Sequence, residues 1–111
     1  MKIERWDIWL AAVQFEEIAE EKIRPVLILE HGESFVLSYK MTTHKPREAF
    51  PNEYAIRDWK GAGLHRPTTI RGGRKIRIAQ AGLKRKIGVL QAEDITNLLL
   101  FLEPESVPHM E

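Results

Sequence analysis

Val26, Leu27, Ile28 and Leu29 form an unbroken run of β-branched and leucine side chains. A strand with one solvated face would alternate, so this run predicts a strand buried on both faces. Pro25 fixes φ and lacks a donor, which suits the first residue of such a strand. Upstream, Arg5 to Val13 alternates loosely, with Trp6, Ile8, Leu10 and Ala12 against Asp7, Trp9, Ala11 and Val13. Both sets are rather apolar, which predicts a strand inside a barrel or against a second layer. Gln14 to Ile23 is an acidic connection in which Phe15, Ile18 and Ala19 have helical spacing, so a loop or a single turn fits.

Downstream, His31-Gly32-Glu33 reads as a turn, and Ser34 to Thr42 alternates again, so the two runs predict an antiparallel hairpin. Thr43 to Arg47 is a polar loop, Pro51-Asn52 a turn, and Glu53 to Arg57 a short strand. Asp58 is placed to cap one helical turn that Gly63 ends. Pro67 to Arg71 and Arg74 to Ala79 read as two strands joined through Gly72-Gly73, with Lys84 to Leu90 as the last strand. Ala92 to Glu103 predicts a helix, because Ile95, Leu98, Leu99 and Leu102 recur at i, i+3, i+4 and i+7. Glu93 and Asp94 occupy its first turn, where the macrodipole favours acids, and Pro104 opens a tail, 104–111. The pattern is mainly β within an α+β class: one domain, 1–111, built as a small curved β-barrel with a C-terminal helix.

Composition narrows the chemistry. The 111 residues contain no cysteine, which removes disulfides, thiolate metal ligands and thiol nucleophiles. Val26 to Leu29 and Leu98 to Leu102 are too short to cross a bilayer, and the first residues lack a signal-peptide core, so a soluble cytoplasmic protein is expected. Net charge is only +1, but it is segregated. No acid occurs from Trp59 to Ala92, a stretch that carries Lys60, Arg66, Arg71, Arg74 and Lys75 among its cations, while acids gather at Glu16 to Glu21 and from Glu93 onward. Such segregation predicts a positive face for a polyanion or an acidic protein.

No histidine pair at i, i+4, P-loop or nucleophile elbow is present, so neither a metal nor a cofactor is expected. The remaining chemistry-bearing set is Arg24, Thr42, Thr43, His44, Arg47, His65 and Arg66. These groups suit one reaction: RNA carries its own nucleophile, the 2′-OH, so cleavage needs only proton transfer and charge stabilisation on the phosphorane. An arginine at a strand mouth supplies the charge, and a histidine can move the proton. Trp59, with Lys60 beside it, could offer a base a stacking surface; equally, Trp59 could close the core.

Four segments, Trp6-Asp7-Ile8-Trp9-Leu10, Arg24-Pro25-Val26-Leu27-Ile28, Lys40-Met41-Thr42-Thr43-His44 and Arg85-Lys86-Ile87-Gly88-Val89-Leu90, stand in an order that resembles the MazF/PemK toxins of toxin–antitoxin systems. The resemblance implies an SH3-like barrel, a homodimer, metal-independent cleavage of single-stranded RNA (mRNA) and a cognate antitoxin whose tail occupies the RNA groove. It assigns Arg24 as the catalytic arginine and Thr42 as its partner at the end of the third strand, with Thr43 as the competing register. The sequence departs from the family in two places. A Pro-Arg-Thr-Ile-Asp segment of some relatives is here Pro67-Thr68-Thr69-Ile70-Arg71, and the first position of a usual Gly-Asp pair is Trp6. Two other readings therefore stand beside the nuclease: a catalytically lapsed nucleic-acid or protein-binding module, and a gyrase-targeting toxin on the same scaffold.

Overall fold

The computed structural model describes residues 2–14 and 21–102. The predicted acidic connection lies largely outside the described residues, as does the tail 104–111. Six strands, β1 (Asp7–Gln14), β2 (Glu21–His31), β3 (Phe35–Thr42), β4 (Glu53–Ala55), β5 (Thr69–Ala79) and β6 (Leu83–Val89), precede one helix, α1 (Ala92–Leu102). They form one sheet in the order β4-β5-β3-β2-β1-β6, and every pairing is antiparallel.

The apolar run behaves as its pattern predicts. Val26, Leu27, Ile28 and Leu29 are all buried. Leu27 and Leu29 join Ile8, Tyr39, Ile70 and Leu98 in one core, while Val26 and Ile28 join Trp9, Ala11, Val36 and Ile78 in a second core. The central strands thus have an apolar layer on each face, which explains why β1 alternates so weakly.

Pro25 departs from its expected place, because β2 begins at Glu21 and Pro25 pairs with Leu10 in mid-strand. Pairing with β3 starts only at Val26, so the Pro25 segment is bonded on one side and its missing donor leaves no gap in a central ladder.

Gly72-Gly73 also departs from expectation. Thr69 to Ala79 is one strand, not two. The register with β3 jumps from Lys40↔Arg71 to Ser38↔Ile76, so the residues between Arg71 and Ile76 bulge out of the ladder. The Gly72 N–H donates to the Asn52 carbonyl at 2.9 Å, and a Cβ on Gly72 would lie 2.8 Å from that same oxygen. The glycine serves close backbone approach rather than chain reversal.

The sheet does not close into a barrel by strand pairing; β4 and β6 remain its edges. The gap is spanned instead by the turn after β4. Asp58 caps it as predicted, accepting from Gly61 N–H at 2.9 Å, and Gly63 ends it at φ +92°. Gly63 and Gly88 bring this turn against β6 so closely that a Cβ on Gly88 would collide with the Ala62 carbonyl. Asp94, fully buried in the first turn of α1, fastens the assembly by accepting from Tyr54 Oη at 2.6 Å and from the N–H groups of Arg57 and Asp58 at 2.9 Å. Along α1, Leu98 is buried and Ile95 and Leu102 pack on the same core, but Leu99 lies outside it with Leu100 and Phe101.

Candidate active site

Strand periodicity and register assemble the site. Met41 faces the core shared with Leu27 and Ile70, so Lys40 and Thr42 face the other side of β3. Lys40 stands opposite Val26 on β2 and Arg71 on β5, while Thr42 stands opposite Thr69. Arg24, two residues before Val26 on the same face of β2, pairs with Ala11 on β1, and the β2–β3 pairing begins only at Val26. Arg71 and Thr69 in turn pair with Glu53 and Ala55 on β4. Two cross-strand rows result on one face: Thr42, Thr69 and Ala55, with Arg24 at the same end of the sheet, and behind it Val26, Lys40, Arg71 and Glu53.

The first row carries oriented hydroxyls. Thr42 Oγ1 accepts from the His44 N–H at 3.3 Å, which leaves its own O–H hydrogen to donate elsewhere. Thr69, buried, donates its hydroxyl to the His44 carbonyl at 2.7 Å. The His44 main chain is thus tied to both threonines. Its ring Nδ1 lies 2.9 Å from the Lys45 carbonyl, an oxygen that can only accept, so Nδ1 carries the hydrogen. Arg24 is exposed, and one of its terminal nitrogens donates to the Ile23 carbonyl at 2.9 Å. Thr43 is exposed in the bend between Thr42 and His44.

The second row is an ion network. Glu53, with its side chain 3% exposed, accepts from the guanidinium of Arg47 at 2.6 Å and meets Arg71 Nε at 3.5 Å. The Arg47 hydrogen bonds hold the Glu53 carboxyl below the usual carboxylate range, against an opposing push from burial. Arg47 also lies 3.9 Å over the Phe50 ring, so this residue anchors the loop between β3 and β4.

Trp59 is half-buried against the Ile8–Leu98 core with Lys60 5.4 Å over its ring, on the face of the sheet opposite to the two rows. His65 and Arg66 are exposed just ahead of β5, where Thr68 Oγ1 donates to the Arg66 carbonyl at 2.9 Å. The structure therefore brings Arg24, Thr42, Thr43 and His44 to one end of the sheet, with His65 and Arg66 on the segment leading into it. Thr69, Lys40 and Glu53 also belong to the two rows, and sequence reasoning missed all three. The Thr-Thr pair ahead of Ile70 was the one local signal, since Lys40 and Glu53 gain meaning only from strand order. Among the described residues no group of three or more histidines and carboxylates that could hold a metal comes together.

A family model for the PemK-like, MazF-like toxin of type II toxin–antitoxin systems matches residues 4–103. The chain belongs to this toxin family. Among solved structures, the toxin MazF-mt6 of Mycobacterium tuberculosis shares 23% identity and a TM-score of 0.71, covering 93% of this chain and 99% of that one. An endoribonuclease in complex with its cognate antitoxin, from a mycobacterial species, shares 11% identity and a TM-score of 0.74, covering 97% and 99%. Both likenesses are of fold. Among curated proteins none matches in sequence.

The departures of this PemK/MazF-like toxin from its relatives now have a structural setting. Trp6, at the first position of the usual Gly-Asp pair, keeps a left-handed backbone with φ +75° although it has a side chain. Its N–H donates to Ile28 and its carbonyl accepts from Leu90, at 2.8 and 2.9 Å, so tertiary hydrogen bonds hold that conformation. Where some relatives have an aspartate the toxin has Arg71, whose Nε meets the Glu53 carboxylate of β4 at 3.5 Å.

Proposed function

We propose that the toxin is an endoribonuclease that cuts single-stranded RNA, mRNA included, at internal phosphates. The 2′-OH attacks the adjacent phosphorus, the new O–P bond closes a 2′,3′-cyclic phosphate, and the bond to the 5′-oxygen breaks. The 2′-OH proton passes to a base and the leaving oxygen takes a proton from an acid. Arg24 neutralises the phosphorane, and Thr42 donates its remaining hydroxyl hydrogen to a phosphate oxygen. His44, whose ring can both accept and donate a proton, is the candidate for one of the two proton transfers. The observation that carries this reading is the Thr42–Thr69 register pair, tied through His44 at the same end of the sheet as Arg24.

A cognate antitoxin is the expected protein partner, and cytoplasm the expected setting, since RNA and antitoxin meet there. Leu99, Leu100 and Phe101, exposed at the end of α1, support a homodimer by offering an apolar face.

The test is Arg24→Ala in EDTA. The variant should fold normally and lose RNA cleavage by on the order of 100-fold or more. Full activity would remove Arg24 from the mechanism. The second reading, a lapsed binding module, is favoured by Thr68 and Arg71 standing where some relatives have Arg and Asp. It predicts that long RNA incubated with wild-type protein shows no discrete new ends.

A further inference from the structure

Lys40 and Arg71 occupy one register pair on adjacent strands. Like charges directly opposite one another destabilise a sheet, so a fold selected only for stability would not place them there. Glu53 in the same row accepts from Arg47 and meets Arg71, which offsets part of this repulsion. The β5 bulge adds a third cation. By lifting its residues off the ladder between Arg71 and Ile76, it sets Arg74 beside Lys40, and these two side chains with Ile76 form the wall common to two grooves. One groove, of about 320 Å³, runs under Phe50 and Pro51; the other, of about 690 Å³, runs past Val13 towards Lys84.

Lys40 is also tied in register to the proposed cutting site. It precedes Thr42 by two residues on the same face of β3, a separation of about 7 Å along the strand. That spacing is comparable with the step between successive phosphates of an extended polynucleotide.

We propose that Lys40 and Arg74 form a second phosphate site, which grips the RNA backbone next to the cut phosphate and leads the strand along the bulge of β5. This rests on the nuclease reading for the identity of the cut phosphate. It assigns the substrate track to the Arg24–Lys40 face and not to the Trp59–Lys60 turn, which lies on the other side of the sheet. Lys40 supplies a compact charge and Arg74 a forked donor, a combination that recognises phosphate without reading sequence. Base choice then falls to the loops on either side.

The decisive experiment uses full-length protein and a short single-stranded oligonucleotide lacking 2′-OH groups, which binds but cannot be cut. Affinity is measured by fluorescence anisotropy across a salt series for wild type, Lys40→Met, Arg74→Met and Lys60→Met. Methionine keeps the length of the stem, and thermal melts confirm that each variant folds. Removing one cation that neutralises a phosphate of a single strand should reduce the slope of log affinity against log salt by about 0.7. Lys40→Met and Arg74→Met should each show that reduction, and Lys60→Met should keep the wild-type slope. Wild-type slopes for Lys40→Met and Arg74→Met would overturn the proposal, as would a reduction confined to Lys60→Met. With cleavable RNA, Lys40→Met should raise KM several-fold and leave kcat within about twofold, because the lysine holds its phosphate equally well in ground and transition states. Should wild type cut no RNA at all, the nuclease reading fails, and the salt slopes still decide the phosphate site.

Discussion

Thr69 Oγ1 donates to the His44 carbonyl at 2.7 Å, and this bond ties the first residue of β5 to the loop that leaves β3. His44 in turn donates its N–H to Thr42 at 3.3 Å. Thr42 on β3, Thr69 on β5 and His44 in the loop between β3 and β4 are therefore held together at one end of the sheet.

Thr69→Val tests that connection. Valine keeps the shape but leaves the His44 carbonyl without its donor, which should cost about 1–2 kcal/mol of stability. RNA cleavage should fall about tenfold in kcat with KM nearly unchanged, since Thr69 positions and does not bind. Thr69→Ser should restore most of the rate. Failure of serine to rescue would show that the methyl group, and not the hydrogen bond, matters.

Glu53 supplies a pH dependence. Its folded-state pKa lies below the ordinary value of 4.5, so the ionised form is favoured by folding. The stability it contributes is fully present above the unfolded value and is lost as pH falls through the lower folded value. Glu53→Gln should therefore melt well below wild type near neutrality, with the difference shrinking below about pH 4. A constant difference down to pH 3 would show that packing, not charge, carries the effect.

Asp94 ties α1 to the segment that follows β4. Its carboxylate takes three hydrogen bonds in a site without solvent exposure, and Asp94→Ala would leave a tyrosine hydroxyl and two main-chain donors without this acceptor. The loss should be about 3 kcal/mol or more. The same hydrogen bond, after burial itself, helps push the Tyr54 phenol up to about 12. Ultraviolet titration of the wild type should accordingly show one of the two tyrosines ionising only near that pH. Tyr54→Phe should remove the late transition.

His44→Ala separates chemistry from binding. If the ring transfers a proton, single-turnover rates should lose one limb of their pH profile while RNA affinity stays close to wild type. Identical profile shapes would exclude His44 from proton transfer.

Gly88→Ala should destabilise by about 2 kcal/mol or more, because the new Cβ meets the Ala62 main chain rather than a side chain that could rotate away. The closing turn would have to move off β6. A melt unchanged from wild type would mean that this turn contributes little to closure.

Local pattern determined much of this protein. The doubly buried run Val26 to Leu29, the hairpin into β3, the Asp58-capped turn and the helix from Ala92 all follow from periodicity and capping within a few residues. The Thr42–His44 end of β3 was legible for the same reason, whereas Arg24 lies inside β2 and not at its mouth. What no local signal could settle was which strands would neighbour one another. Strand order β4-β5-β3-β2 places Glu53 beside Arg71, Arg71 beside Lys40, and Thr69 beside Thr42, over separations in sequence of 18, 31 and 27 residues. Gly72-Gly73 shows the limit most clearly. Two glycines permit a tight turn and permit a close approach equally well, and only the Asn52 carbonyl, arriving from a different part of the chain, selects the second. That Arg47 meets Glu53 was likewise invisible in the sequence, because only the return of β4 brings the two together. Register and strand order are global properties, set by which pairings bury both apolar layers at once, and they decide which charges meet.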